Sequence, residues 1–165
     1  MWSNNNRKYW EMNSLTQLLQ NKILLTGIFS WFTAQILKTI IHTITNKEFD
    51  IRRMVGDGGM PSCHSATVTA VAIATGYECG FHSPLFALSG ILAIIVMHDA
   101  MGVRMETGTH AKLLNEMITF FEALGQKQVS VETKLKEFVG HTPLQVTAGF
   151  LWGFFMAWAA NRWMF

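Results

Sequence analysis

Charged residues are scarce in this chain of 165 residues: Asp, Glu, Lys and Arg make up 15% of it, whereas a soluble domain usually contains about a quarter. The net charge is only +2 and no basic run is longer than a pair, so the charge pattern does not favour nucleic-acid binding. The two cysteines have no framework spacing, which indicates neither a disulfide scaffold nor a zinc ribbon. No apolar run begins before residue 23, which argues against a cleavable signal peptide.

Long apolar stretches fill much of the remaining chain and predict an all-α protein of a single domain. As a helix, residues 23–44 would span about 33 Å, enough to cross the hydrocarbon core of a bilayer. Further helices are expected near residues 62–77, near residues 85–97 after Pro84, and from Pro143 to the C-terminus. We therefore predict a small polytopic membrane helix bundle with three or four spans.

Other segments of the chain differ from these apolar spans. Residues 1–22 are polar with a weak helical pattern, and we expect an interfacial N-terminal segment with Asn13 or Ser14 as an N-cap, ahead of a membrane helical domain over residues 23–165. Residues 100–140 are charged and amphipathic, which predicts an added surface helix. The helix near residues 62–77 is short and rich in Ala and Thr, which favours close packing inside the bundle.

This threading brings polar residues from four segments to one face of the membrane. His64 and His141 lie at the starts of two predicted helices, Arg104 follows a third, and Lys38 lies about two turns inside the first. Helix N-termini with free N–H groups, together with two cations, favour an anion, and glycines such as Gly59 let the main chain approach it. Histidine's ordinary pKa near 6.5 suits proton transfer or attack near neutral pH. Together these features predict a phosphate site.

Each candidate residue also has a purely structural interpretation. Lys38 can extend toward the interface from within the bilayer, and the two histidines can serve as caps or packing residues. A metal site is a further alternative, although no pair in it has the i, i+4 spacing of a zincin helix: His64, His98, Asp99 and His141. The remaining histidines are expected to be surface or packing residues, and the paired arginines fit the positive-inside tendency: His42, His82, His110, Arg52 and Arg53.

Three sequence blocks resemble the divergent branch of the type 2 phosphatidic acid phosphatases, whose superfamily also includes the vanadium-dependent haloperoxidases. The blocks are residues 58–66 (GGMPSCHSA), 99–104 (DAMGVR) and 140–144 (GHTPL), in that order. The resemblance extends from about residue 23 to about residue 160. It implies a membrane phosphatase that needs no metal and no other cofactor.

The resemblance also implies a role for each residue of the predicted site. His141 would be the nucleophile that forms a phospho-histidine intermediate, and His64 would protonate the leaving alkoxide. A larger set would hold the phosphoryl oxygens through side chains or main-chain N–H groups: Lys38, Arg104, Ser62, Cys63, Gly59 and Arg53. Within this set, the distance of Arg53 from Lys38 departs from the family's usual Lys-x6-Arg-Pro spacing.

Position 145 is the main departure from the family pattern. The family normally has a carboxylate four residues after the nucleophilic histidine, whereas this sequence has Gln145. An amide oxygen can accept an Nδ1–H bond and fix the tautomer, but it offers no charge to an imidazolium. We expect weakened catalysis in an intact fold, unless Asp99 substitutes for the missing carboxylate.

The leading hypothesis is a lipid phosphate phosphatase acting on phosphatidylglycerophosphate, phosphatidate or a polyprenyl diphosphate. Alternatives are a non-catalytic membrane protein that binds a phosphorylated headgroup and, less favoured, a haloperoxidase-like oxidant that binds vanadate. Eight Lys and Arg residues fall on the predicted site side against four opposite, which predicts a site facing the cytoplasm from the cell membrane. The expected partners are the lipid substrate and the bilayer, not nucleic acid, with a homo-oligomer left open.

Overall fold

The structure, a computed structural model, describes residues 13–47, 59–124, 135 and 140–163. These residues form helices and no strand, which confirms the all-α prediction. In chain order the helices are α1 (Ser14–Gln20), α2 (Lys22–Asn46), α3 (Cys63–Cys79), α4 (Pro84–Met101), α5 (Val103–Ala123) and α6 (Pro143–Trp163). The predicted division between residues 22 and 23 stays a prediction: α2 begins at Lys22, and residues 1–12 lie outside the described part.

Short polar side chains start most of these helices. Asn13 accepts a hydrogen bond from the Leu15 N–H and caps α1, as predicted. Asn21 caps α2 in the same way. Ser83 caps α4 with Pro84 in its first turn, so the predicted start of that helix is confirmed. Each cap satisfies one of the N–H groups that a helix N-terminus leaves without an intrahelical partner.

Helix α3 occupies the centre of the bundle and packs against α6, α2 and α4. Its side chains are small, and many are fully buried. Ala34 of α2 meets Cys63 and Ala66 of α3 in a buried cluster that Trp152 of α6 covers. The Ser30 hydroxyl of α2 donates to the Ala66 carbonyl at 3.0 Å. The predicted burial of this short Ala- and Thr-rich helix inside the bundle is therefore confirmed.

Two glycines let α6 approach α3 as closely as two backbones can. A Cβ at Gly149 would collide with the Ser62 carbonyl, and a Cβ at Gly153 would collide with the Ala66 carbonyl. The glycines are one helical turn apart, as are the two carbonyls, so they form a single line of contact. Close approach through small residues is typical of helix pairs in membranes.

Large apolar side chains remain exposed over much of the bundle surface, most clearly on α4. Leu88 is 69% exposed and Ile94 60% exposed. Within the described residues, two helical segments are long and apolar enough to cross a membrane, Lys22–Asn46 and Pro84–Phe121. That is fewer than the three or four spans expected from the sequence, partly because α3 is only 17 residues long.

The amphipathic segment predicted for residues 100–140 contains α5, which begins directly after Gly102 at the end of α4. It packs mainly against α4 and leaves Leu113, Met117 and Phe120 more than half exposed. Asn115 fixes the following chain by donating to the Leu135 carbonyl at 2.9 Å and accepting from its N–H at 3.0 Å. The helix thus has an exposed apolar stripe along one face.

Candidate active site

His141 lies immediately before α6 and is held by the turn between α4 and α5. Its N–H donates to the Ala100 carbonyl at 3.0 Å, one of the carbonyls that a helix C-terminus leaves without an intrahelical partner. A Cβ at the neighbouring Gly140 would collide with the backbone of Met105, so only glycine lets this segment lie against the turn. The ring of His141 ends up buried, with 2% of the residue exposed.

The imidazole of His64 faces that of His141. His64 is in the first turn of α3, and the ring centroids are 6.0 Å apart with planes inclined by 58°. The two helix starts are joined directly, because the Ser62 N–H donates to the Gln145 carbonyl at 3.0 Å. Two histidines that are distant in the chain therefore share one site, as the sequence predicted, while their chemical roles stay a prediction.

Gln145 connects the start of α6 to the His141 ring. Its N–H donates to the Thr142 hydroxyl at 3.4 Å, and its Oε1 accepts from the Thr142 N–H at 3.2 Å. This reciprocal pair is a capping box. Its residues, Thr142-Pro143-Leu144-Gln145, fit the Ser/Thr-x-x-Glu/Gln pattern. The sequence therefore indicated the Thr142–Gln145 contact, although the prediction for Gln145 did not use this pattern.

The capping box also determines the tautomer of the neutral His141 ring. The Thr142 N–H can only donate, so the Gln145 atom facing it must be the amide oxygen and not the amide nitrogen. That same Oε1 lies 3.1 Å from His141 Nδ1. Nδ1 must therefore carry the hydrogen when the ring is neutral, which leaves the lone pair on Nε2. A neutral amide thus fixes the tautomer that a nucleophilic histidine needs.

Lys38 reaches the same end of the bundle from α2. The residue is only 3% exposed, and its methylene groups lie against Gly59, where a Cβ would be 3.0 Å from Lys38 Cδ. Gly59 has a φ of +89°, a conformation that favours glycine. A lysine buried to this extent is rare in proteins unless its charge is compensated.

Arg104 and Asp99 pair across the turn between α4 and α5. Arg104 Nε donates to Asp99 Oδ2 at 2.7 Å, and the two side chains are 46% and 40% exposed. Gly140 packs on the backbone next to Arg104, so this ion pair adjoins the segment that carries His141. An exposed pair of this kind contributes little to stability, but it does fix the direction of the guanidinium.

Residues 19–156 match the Divergent PAP2 family. The chain belongs to this family. The resemblance drawn from the three sequence blocks is thereby confirmed. A relative in Bacillus subtilis (strain 168), the uncharacterized membrane protein YuiD, is 37% identical over 145 residues, which cover 83% of this chain and 92% of the relative. No solved structure matches the chain.

For this member of the divergent PAP2 family, two expectations about the site need correction. The Ser62 N–H was expected to bind a phosphoryl oxygen, but it donates to the Gln145 carbonyl, because α3 and α6 start side by side. The Ser62 hydroxyl is also engaged, accepting from the Ser65 N–H and the Ser65 hydroxyl. Asp99 was the candidate to replace the family carboxylate at His141, but its carboxylate binds Arg104 and the amide of Gln145 takes that place.

The remaining predicted residues of the family site are placed as follows. Cys63 is buried in the cluster with Ala34 and Ala66, and its Sγ lies 3.7 Å from His64 Nδ1. Arg53 lies outside the described residues. Within the described part of the chain, no group of three His, Cys, Asp or Glu side chains is arranged to hold a metal ion. The alternative metal site that included His98 is therefore not assembled there.

Proposed function

We propose that this chain is an integral membrane lipid phosphate phosphatase that hydrolyses a phosphomonoester or diphosphate of a membrane lipid. The observation that carries the proposal is the pair of imidazoles 6.0 Å apart, one of them with Nδ1 fixed against Gln145. Membership of the divergent PAP2 family supports the same chemistry. A histidine with a purely structural role would not need a second imidazole beside it.

The reaction follows from the tautomer of His141. Its Nε2 lone pair attacks the phosphorus, forming an N–P bond while the ester P–O bond breaks, and His64 gives its proton to the departing alkoxide. His64 then takes a proton from water, whose oxygen attacks the phospho-histidine and breaks the N–P bond. Inorganic phosphate leaves, and both histidines return to their starting forms.

Two cations would stabilise the charge on the phosphoryl oxygens in the transition state. Arg104 has Nε committed to Asp99, which orients its two terminal nitrogens as a fork suited to an oxyanion. Lys38 adds a buried charge from α2, where a low dielectric strengthens its attraction to an anion. These roles for Arg104 and Lys38 agree with what the family resemblance implies.

A bilayer location supports a lipid as the substrate. The apolar surface of α4 and the two candidate spans fit a protein surrounded by acyl chains, and the relative YuiD is named a membrane protein. A site at one end of such a bundle lies at headgroup depth. The excess of Lys and Arg on the site side supports a cytoplasmic orientation in the cell membrane.

Gln145 supports one alternative, a membrane protein that binds phosphorylated headgroups without turnover. The amide positions His141 but carries no charge to stabilise the imidazolium that forms during catalysis. Such a protein would still bind the phosphorylated headgroup at the anion site but would not hydrolyse it.

Phosphate release from purified protein in detergent micelles separates the two functions. Phosphatidate, phosphatidylglycerophosphate and a polyprenyl diphosphate are each supplied with a metal chelator, with and without vanadate. We expect release that vanadate inhibits and that falls by at least about 1,000-fold in His141→Ala, since that change removes the attacking atom.

His110→Ala is the matched control, because it removes an exposed imidazole of α5 that is none of the candidate site residues. It should leave phosphate release unchanged. Tight binding of these lipids without any release, persisting after Gln145→Glu restores a carboxylate, would reject the phosphatase and favour the alternative.

A further inference from the structure

The thiol of Cys63 lies beside the imidazole of His64 at the start of α3. Cys63 Sγ is 3.7 Å from His64 Nδ1, a contact in which sulfur, a weak donor and a weak acceptor, meets a ring nitrogen. The reaction described above depends on the His64 ring but assigns no task to this thiol. The question is therefore what the sulfur does for the ring.

The packing of the bundle fixes the position of the Cys63 sulfur. Cys63 is 3% exposed, and Ala34 of α2 and Ala66 of α3, which pack with it, are both 0% exposed. Its backbone is fixed as well, because it begins α3 and its carbonyl accepts from the Thr67 hydroxyl at 2.7 Å. Close-packed interiors leave few voids into which a side chain could turn. The sulfur is thus a rigid neighbour of the ring.

The contact with sulfur gives the two ring nitrogens of His64 different tasks. Nδ1 faces Sγ, so Nε2, on the other side of the ring, is the nitrogen that exchanges protons in the reaction. Nε2 must give its hydrogen to the departing alkoxide and must then use its lone pair to take one from water. A neutral imidazole carries a single hydrogen, so Nδ1 has to keep its own hydrogen through both steps.

Sulfur meets this requirement when it accepts a hydrogen bond from Nδ1–H. If the thiol donated to Nδ1 instead, the neutral ring would carry its hydrogen on Nε2 and could not take a proton from water. With sulfur as the acceptor, the lone pair is on Nε2, as it is in His141, whose Nδ1 lies against Gln145. Each imidazole of the pair is then oriented by an uncharged neighbour.

We propose that Cys63 is a positioning residue whose sulfur accepts from His64 Nδ1–H and so makes Nε2 the nitrogen that transfers the proton. The inference rests on the phosphatase function proposed above and deepens the role of His64 in it. The thiol itself forms and breaks no bond to the substrate. Its removal should therefore slow only the steps in which His64 moves a proton.

The test compares two substrates that differ in their need for a proton. Dodecyl phosphate releases an alkoxide, which must be protonated as it leaves, whereas a nitrophenyl phosphate with an alkyl chain of similar length releases a stable phenolate. The ratio kcat/KM covers the steps up to the phospho-histidine, so the later attack of water does not enter it. In Cys63→Ala we expect kcat/KM to fall by about tenfold for dodecyl phosphate and to stay within about twofold for the nitrophenyl ester.

Two variants separate positioning from packing. Cys63→Ser supplies a hydroxyl oxygen that can also accept from Nδ1–H, so it should retain most of the activity toward dodecyl phosphate that Cys63→Ala loses. Cys79→Ala removes the thiol at the other end of α3 and should leave kcat/KM unchanged for both substrates. Equal losses for the two substrates in Cys63→Ala, or no loss for either, would overturn the inference while the phosphatase function stands.

Histidine tautomers measured by nitrogen NMR test the contact without any turnover. When its ring is neutral, His64 should carry its hydrogen on Nδ1 in the original protein, in Cys63→Ser and in Cys79→Ala, and on either nitrogen in Cys63→Ala. This result would support the contact even if the protein hydrolysed no lipid, an outcome that would count against the proposed function alone. A hydrogen on Nε2 in the original protein, or an unchanged tautomer in Cys63→Ala, would overturn the role of the sulfur.

Discussion

Two helices start side by side at the candidate site, and their N-termini are used differently. At α3, the Ser62 N–H donates to the Gln145 carbonyl and the Ser62 hydroxyl accepts from Ser65, so both groups stabilise the packing of the bundle. At α6, the Gln145 oxygen caps the helix and also receives His141 Nδ1. Two helix N-termini that meet at one site therefore need not both be available to bind an anion. One positions a helix, and the other positions the His141 ring.

Among changes that leave both imidazoles in place, the largest effect should come from displacing the chain that leads into α6. In Gly140→Ala the added Cβ would collide with the backbone of Met105, and backbone cannot move aside as a flexible side chain does. His141 would shift away from His64, and a displacement of about 1 Å can cost about 100-fold in rate. We expect kcat for phosphate release to fall by about that factor.

Gly90→Ala provides the matched control for this substitution, because a Cβ there meets no atom within 4 Å. It replaces glycine by alanine in a helix interior and should slightly raise stability, with no change in kcat. Equal losses in the two variants would mean that the contact of Gly140 with the α4–α5 turn does not position His141.

A smaller effect is expected from removing the acceptor that fixes the tautomer. Gln145→Leu has similar size but cannot accept from His141 Nδ1, and kcat should fall by about tenfold with little change in KM. Gln145→Glu can still complete the capping box and adds the charge that the imidazolium lacks, so its kcat should exceed that of the original protein.

Nitrogen NMR of histidine-labelled protein supplies a readout that a purely structural role would not move. His141 should be protonated at Nδ1 in the original protein and in Gln145→Glu, and should show a mixture of tautomers in Gln145→Leu. An unchanged tautomer in the leucine variant would show that the Gln145 contact is dispensable for orientation.

The smallest effect on turnover should follow Ser62→Ala at the other N-terminus. The change removes the cap of α3 and an acceptor for the Ser65 hydroxyl, which should lower the free energy of unfolding by about 1 kcal/mol. The Ser62 N–H remains, so kcat per folded molecule should stay within about twofold, as measured by thermal unfolding beside phosphate release. A large loss of kcat would place the Ser62 hydroxyl in the reaction and remove the distinction between the two helix starts.

The sequence predicted the helices and the meeting of His64 with His141 for identifiable reasons. Apolar stretches and prolines locate the helices, and the threading of the chain places both histidines at one end of the bundle. The partner of the Ser62 N–H was not predictable, because it depends on how far α6 is shifted along α3. The pairing of Asp99 with Arg104 depends on the turn at Gly102, whose geometry has no clear pattern in the residues.

The close contact of Gly149 and Gly153 with α3 has a consequence for substitutions far from the chemistry. Those glycines bring two main chains into direct contact, so neither helix can slide along the other without a clash or a gap. Gly153 lies about 18 Å along α6 from His141 at 1.5 Å per residue. A methyl group at Gly153 would nevertheless displace α6 from its contact with α3. The relative position of the two imidazoles therefore depends on a helix contact in the interior of the bundle, which a substitution at Gly153 would disturb without changing any residue of the candidate site.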